Sequence, residues 1–195
     1  MAGPASIDPP GPTRRRALFT DRDGTLNPDL HYLKDADRLE LFRGVGRAVA
    51  LAHRHGFVVI CVTNQSGVER GLYTREDVER IHRRLNELLR RDGSEIDAFY
   101  YCPHAPERRC ACRKPGTLLF EQAQKEWDLE LATSAIVGDR RLDIEAGARL
   151  GLLTALVPSR THPEQSTEEF SSTDLRPDIV AETFENAVLR VLARG

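Results

Sequence analysis

Asp21 and Asp23 stand two residues apart at the end of the apolar run Ala17-Leu18-Phe19-Thr20, and Gly24 follows at once. A short apolar run of this kind reads as a strand, and the glycine lets the backbone depart sharply from its end. Two carboxylates then emerge together at the strand's carboxyl end. Alone, Asp-x-Asp-Gly is equally an ordinary turn, so the other polar segments decide. Thr63-Asn64-Gln65-Ser66-Gly67 closes a second apolar run with a hydroxyl and amides suited to phosphate oxygens. Arg113-Lys114-Pro115 puts two cations in a loop, and Val137-Gly138-Asp139-Arg140-Arg141-Leu142-Asp143 sets another carboxylate after a third run. Nucleophile, anion donors, cation and metal ligand are what phosphoryl transfer uses, because that reaction depends on positioning and charge stabilisation.

A second constellation lies between these segments. Cys102-Pro103-His104 and Cys110-Ala111-Cys112 form a C-x-H…C-x-C set with five residues between the halves. Three thiolates and one imidazole complete a tetrahedral zinc shell, and four protein ligands leave no open position, so the expected zinc is structural. Cys61 lies inside the apolar run from Val58 to Val62 and reads as a small core residue.

The elements that would carry these residues alternate between short apolar runs and amphipathic stretches, as in a parallel sheet covered by helices. Strands are expected at Ala17–Thr20, Phe57–Thr63, Ile96–Tyr101, Ala135–Gly138, Leu153–Val157 and Asp178–Val180. One helix carries Val45, Ala48, Val49 and Ala52 on one face and stops near Gly56. A second is capped by Thr74, turns Val78, Ile81, Leu85, Leu88 and Leu89 inward and ends near Gly93. Others are expected over Thr117–Asp128, with Trp127 on the buried face, over Asp143–Leu150 and over Phe184–Leu192. The fold class is α/β, an open Rossmann-like sheet flanked by helices, with ligands beyond the carboxyl ends of the strands. Residues 17–195 are expected to form one domain with a small zinc loop at 102–112 and no large cap. Met1–Arg16, rich in Pro, Gly and Ala and ending in three arginines, is expected to be a disordered tail, and the polar stretch Ser159–Arg176 a surface loop. The 195 residues are 40% hydrophobic and 30% charged with net charge -2, which gives no general attraction to nucleic acid or anionic membrane. No apolar run approaches the roughly 20 residues that span a bilayer, and the start of the chain has no signal-type apolar stretch, so a cytoplasmic protein is expected.

The four ordered segments resemble the motifs of the haloacid dehalogenase (HAD) superfamily of phosphatases, at Asp21-x-Asp23-Gly24-Thr25, Thr63, Lys114 and Gly138-Asp139-x-x-x-Asp143. The resemblance implies that Asp21 attacks phosphorus and carries the phosphoryl group, while Asp23 protonates the leaving oxygen and then activates water. It implies Mg²⁺ held by Asp21, the backbone carbonyl of Asp23 and Asp139, phosphoryl oxygens bound by Thr63 and Lys114, and a supporting Asp143. Asp23 would then need an environment that keeps it protonated part of the time, such as partial burial near another carboxylate. The cysteine cluster narrows the resemblance to the zinc-bearing branch that contains heptose-bisphosphate and histidinol-phosphate phosphatases. Asp21–Asn27, Thr63–Gly71 and Tyr100–Pro115 are closest to the heptose members, which implies loss of the 7-phosphate from D-glycero-D-manno-heptose 1,7-bisphosphate. In that branch Asp29, Leu30, His31 and Tyr32 fall in a substrate loop, Asn64, Gln65, Ser66 and Arg140 are further candidate contacts, and Arg113 matches a position that contributes to sugar-phosphate recognition, where a second phosphate would suit a guanidinium. Thr20 before the nucleophile, the short Pro115-Gly116-Thr117 stretch and Arg140 in place of the usual lysine depart from the pattern. The chief alternatives are histidinol phosphate or another small phosphomonoester, a phosphomutase, and a non-catalytic zinc-stabilised binding module; intact Asp21, Asp23, Lys114 and Asp139 argue against the last. A monomer acting on a small phosphorylated sugar is the expected working form.

Overall fold

The computed structural model of the chain describes residues 14–159, 170 and 174–194. Six strands form one sheet, β1 (Arg16–Thr20), β2 (Phe57–Asn64), β3 (Ala98–Cys102), β4 (Ala135–Gly138), β5 (Leu153–Leu156) and β6 (Ile179–Val180). Their order is β3-β2-β1-β4-β5-β6 and every pairing is parallel. The chain winds outward from β1 in one direction and from β4 in the other. The crevice beyond the carboxyl ends of β1 and β4 is therefore the switch point where such sheets bind ligands, and Asp21 and Asp139 follow those two strands directly.

Helices α1 (Val45–Arg54), α2 (Arg75–Arg90), α3 (Leu118–Trp127), α4 (Arg141–Arg149) and α5 (Phe184–Leu192) cover both faces. Alternate strand residues point to opposite sides. Leu18, Val59, Cys61 and Val137 accordingly pack with α1, α2 and α5, whereas Phe19, Ile60, Val62 and Ile136 pack with Leu119, Phe120 and Ala123 of α3. Because both faces are covered, β2 is buried along nearly its whole length. No large cap is present among the described residues.

The expected elements form, with shifted ends. Thr74 caps α2 through a reciprocal pair with Asp77, and Leu88 is only half-buried while His82, polar in the helical pattern, is buried. β3 begins at Ala98, not Ile96, because the Ile96 N–H is taken by Asn86 Oδ1. It extends one residue past Tyr101 to include Cys102. α4 starts at Arg141 rather than Asp143, since Asp143 is the third residue of its first turn and its Oδ2 accepts from the Arg140 N–H. β5 stops at Leu156, and β6 begins at Ile179 because the Asp178 carboxylate caps Thr154. Trp127 is partly buried and lies under the Arg15 guanidinium at 5.1 Å. Two of the three arginines expected in a solvated tail are thus part of the fold, because Arg15 also bridges Leu129 and Arg16 opens β1 with its guanidinium over Phe57. The remainder of the expected tail, residues 1–13, lies outside the described residues, as does most of the expected loop after Ser159. Within that loop Phe170 is buried against Ile144 and Leu156. Among the described residues, no helix is long and apolar enough to cross a membrane.

Candidate active site

The end of β1 places Asp21 at the switch point, and Gly24 makes the departure possible. Gly24 has φ +86° and a Cβ there would come within 2.1 Å of Asp139 Oδ2, so no other residue fits. Gly138, at the end of β4, instead allows a close approach, since a Cβ there would lie 2.3 Å from the Asp143 Cβ. The two strand ends can therefore bring Asp21, Asp139 and Asp143 together, with one carboxylate oxygen of each within 4.8 Å of the others.

Lys114 is the one buried ammonium among them, 2.9 Å from Asp21 Oδ1 and 2.6 Å from Asp143 Oδ1. Its Nζ also donates to the Val62 carbonyl at 2.7 Å, and its backbone N–H donates to Asn64 Oδ1 at 3.0 Å. Burial pulls its pKa down, but the charges of Asp143 and Asp21 outweigh that and leave it above the usual lysine value. Burial, together with the charges of Asp143 and Asp23, pushes the Asp21 carboxyl up to about 6 despite Lys114. Asp139 is raised well above the carboxylate range by burial and by the charges of Asp21 and Asp143. Three clustered carboxylates against one ammonium leave a formal charge of -2. Hard oxygen donors with that excess suit a divalent cation such as Mg²⁺.

Asp23 departs from expectation. Burial raises its pKa, but the Arg22 guanidinium and hydrogen bonds from Arg22, Asn27 and Gln65 dominate and hold it below the usual value. The carboxylate expected nearby is there in Asp21, whose pKa the charge of Asp23 helps to raise, but the buried Arg22 cation outweighs it at Asp23. Arg22, fully buried, and Gln65 and Asn27, nearly so, carry this arrangement. The sequence offered no signal for Arg22, which occupies the unspecified place in Asp-x-Asp.

The cleft above Asp21 has a volume of about 120 Å³ and is lined by Asp21, Asp23, Asp29, Thr63, Asn64, Arg113, Lys114, Arg140, Leu142 and Asp143. Arg113, Lys114, Arg140 and Leu142 continue into a wider groove of about 790 Å³ that also meets Arg109 and Arg149. Gln65 does not line the cleft; it lies beneath, donating to Asp23 Oδ2 and Thr63 Oγ1 at 3.0 and 2.9 Å. Ser66 is half-buried and also absent from the lining. In the expected substrate loop only Asp29 reaches the cleft. The His31 N–H folds back onto Asp29 Oδ1 at 2.9 Å, Tyr32 is 45% exposed near Tyr73, and Leu30 lines a separate pocket with Leu33 and Leu39. His31 and Tyr32 both have positive φ, 48° and 54°, a costly backbone for residues with side chains.

The cysteine cluster closes as its spacing predicts. Cys102 Sγ lies 3.5 Å from Cys110 Sγ and 3.2 Å from Cys112 Sγ, and His104 Nδ1 lies 3.2 Å from Cys112 Sγ. Edges of this length surround a point about 2 Å from each atom, the bond length zinc takes to sulfur and nitrogen. Burial alone would raise the Cys110 thiol, but contacts from Cys112 and Cys102 bring it down to about 7. Arg113 Nη1 donates to the His104 carbonyl at 3.2 Å, so the cluster is tied to the cations of the cleft.

Sheet order, paired strand-end aspartates, buried lysine and cleft define a hydrolase of the HAD class. A family profile described as HAD-hydrolase-like matches residues 111–187. The D-glycero-β-D-manno-heptose-1,7-bisphosphate 7-phosphatase of Helicobacter pylori is 40% identical over 136 residues, 69% of this chain and 78% of the relative. The D-glycero-D-manno-heptose-1,7-bisphosphate 7-phosphatase of Chlorobaculum tepidum is 34% identical over 186 residues, 89% of this chain and 92% of the relative. This chain belongs to that phosphatase family. A solved structure of D,D-heptose 1,7-bisphosphate phosphatase from B. bronchiseptica, complexed with magnesium and phosphate, superposes with a TM-score of 0.81 at 28% identity. It covers 92% of this chain and 99% of its own.

Proposed function

We propose that this chain hydrolyses the 7-phosphate of D-glycero-D-manno-heptose 1,7-bisphosphate, with Asp21 as nucleophile and Asp23 as general acid and base. The observation that carries the reading is the pair of joined basic surfaces. Lys114 sits 2.9 Å from the nucleophile, and Arg113 and Arg140 line both the cleft and the adjoining groove. One phosphate can meet Asp21 while a second is held by guanidinium groups.

In the first step a carboxylate oxygen of Asp21 bonds to phosphorus as the bond to the sugar 7-oxygen breaks, and Asp23 gives that oxygen its proton. In the second, Asp23 takes a proton from the water that attacks phosphorus, Asp21 is freed and inorganic phosphate leaves. Asp23 thereby regains the proton that the next turnover uses. Lys114 and the Thr63 hydroxyl receive the phosphoryl oxygens, where fixed donors act on charge as it develops. Asp21, the Asp23 carbonyl and Asp139 are the groups that would hold Mg²⁺, with Asp143 beside them; bound there, it supplies positive charge to the phosphoryl oxygens. Cys102, His104, Cys110 and Cys112 would hold a structural Zn²⁺. Of the loop Asp29, Leu30, His31 and Tyr32 it is Asp29 that meets the sugar, with Asn64 beside it in the cleft, while Gln65 acts from below. The proposed working form is a cytoplasmic monomer.

The heptose bisphosphate is expected to give at least about 100-fold higher kcat/KM than histidinol phosphate, because only the former presents a second phosphate to a guanidinium. Steady-state phosphate release from both compounds tests this, and equal or better turnover of histidinol phosphate would overturn the substrate. Metal and proton are also expected to compete. A carboxyl whose folded pKa is raised stabilises the fold below its unfolded value, and that contribution is lost as pH rises, for Asp21 through about 6. In metal-free protein the raised carboxyls therefore oppose folding at neutral pH, where Mg²⁺ finds Asp21 ionised. Melting with and without Mg²⁺ should show a larger upward shift at about pH 7.5 than at about pH 5. Equal shifts would contradict a site made from these carboxylates.

A further inference from the structure

Asp23 is surrounded in a way that its chemistry alone does not require. Arg22 Nε donates to Oδ1 at 3.2 Å and Arg22 Nη2 to Oδ2 at 2.8 Å, a two-point fork. Asn27 Nδ2 adds a donor to Oδ1 at 2.9 Å, and Gln65 Nε2 adds one to Oδ2 at 3.0 Å. A carboxylate offers about four acceptor positions, and four donors occupy them. The acceptor-only carboxylate fixes the Gln65 amide with its nitrogen toward Asp23, and the Tyr73 hydroxyl donates to the other end, Oε1, at 2.7 Å. Arg22 itself has no access to solvent and therefore no alternative partner for its charge.

In this arrangement no position on Asp23 remains for the proton that the sugar oxygen must receive. One contact has to open. The two amide contacts are single and neutral, whereas the guanidinium fork is charged and bidentate and holds the carboxyl plane. We propose that Arg22 is a positioning residue for Asp23: its fork keeps the acid–base carboxyl aimed beside Asp21 while an amide contact yields to proton transfer. Arg22 touches neither substrate nor metal and acts only through Asp23.

This rests on the assignment of Asp23 above, and the experiment separates the two. The value of kcat/KM reports events up to transfer of the phosphoryl group, where a sugar alkoxide needs a proton and a nitrophenolate does not. Arg22→Lys keeps the charge and loses the fork. It is expected to lower kcat/KM for the heptose bisphosphate by about 30-fold, and that for p-nitrophenyl phosphate by less than about 3-fold. In an Asp23→Asn background the same substitution should bring no further loss for either substrate. Equal losses on the two substrates, or a further loss in that background, would reduce Arg22 to a structural residue. Undiminished activity of Asp23→Asn on the heptose would instead overturn the assignment of Asp23. Should Arg22→Lys not fold, as judged by melting and zinc content, Arg22→Gln keeps a single neutral donor and loses the fork. It should show the same discrimination between the two substrates, and its absence would overturn the proposal.

Discussion

Asp21→Asn is expected to lower phosphate release by at least about 10⁴-fold, because an amide cannot form the bond to phosphorus that divides hydrolysis into two steps. The fold should survive. Lys114 retains Asp143 at 2.6 Å as partner, and the substitution removes one of three mutually repelling carboxylates. Since burial and its neighbours push the Asp21 carboxyl up to about 6, the metal-free variant should be more stable than the parent at neutral pH, by on the order of 2 kcal/mol. Loss of turnover with an unchanged or raised melting temperature is the expected pair of results. Loss of both together would mean that Asp21 serves the fold.

Cys112→Ser is expected to act in the opposite way, lowering stability and activity at once. A structural zinc contributes folding free energy directly, and the contacts that Glu69 and Arg70 make with the loop from Cys102 to Cys112 are at exposed positions. It leads straight into Arg113 and Lys114, and Arg113 is tied to the His104 carbonyl. Loss of the metal should therefore displace the cations of the cleft and lower kcat/KM by about 10- to 100-fold, although no zinc ligand lines the cleft above Asp21. Zinc quantified per chain, with melting and turnover measured before and after chelation, checks the chain of causes. Full activity in zinc-free protein would separate the cluster from the site.

The residues proposed to carry chemistry were legible because their types are constrained by position. A carboxylate at a strand end followed by glycine, a threonine closing β2 and a C-x-H…C-x-C set have few other reasons to occur in that order. What the sequence concealed were residues whose importance comes from what folds against them. Arg22 is hydrophilic and unspecified within its motif, yet the closure of β1 against β2 and α2 buries it completely. His82 looks like an outward residue of a charged helix, yet it stacks on Phe99 with ring centroids 4.3 Å apart, and burial drives its pKa down to about 3, leaving a neutral ring. Asp143 was expected to start a helix, because aspartate favours such places, but it lies inside the first turn and divides its oxygens between Lys114 and the Arg140 N–H. Gln65 stands within a donor-rich segment and was grouped with substrate contacts; it is the first residue past β2, and its hydrogen bonds with Asp23, Thr63 and Tyr73 hold it beneath the cleft.

The central claim is a covalent phosphoryl group on Asp21. Rapid acid quenching of enzyme mixed with the heptose bisphosphate and Mg²⁺, followed by borohydride reduction and peptide mapping, tests it most directly, since an acyl phosphate is reduced where a free carboxylate is not. The account predicts homoserine at position 21, formed only with substrate and absent from Asp21→Asn. Turnover with no reducible adduct at any time after mixing, or an adduct on another residue, would contradict it.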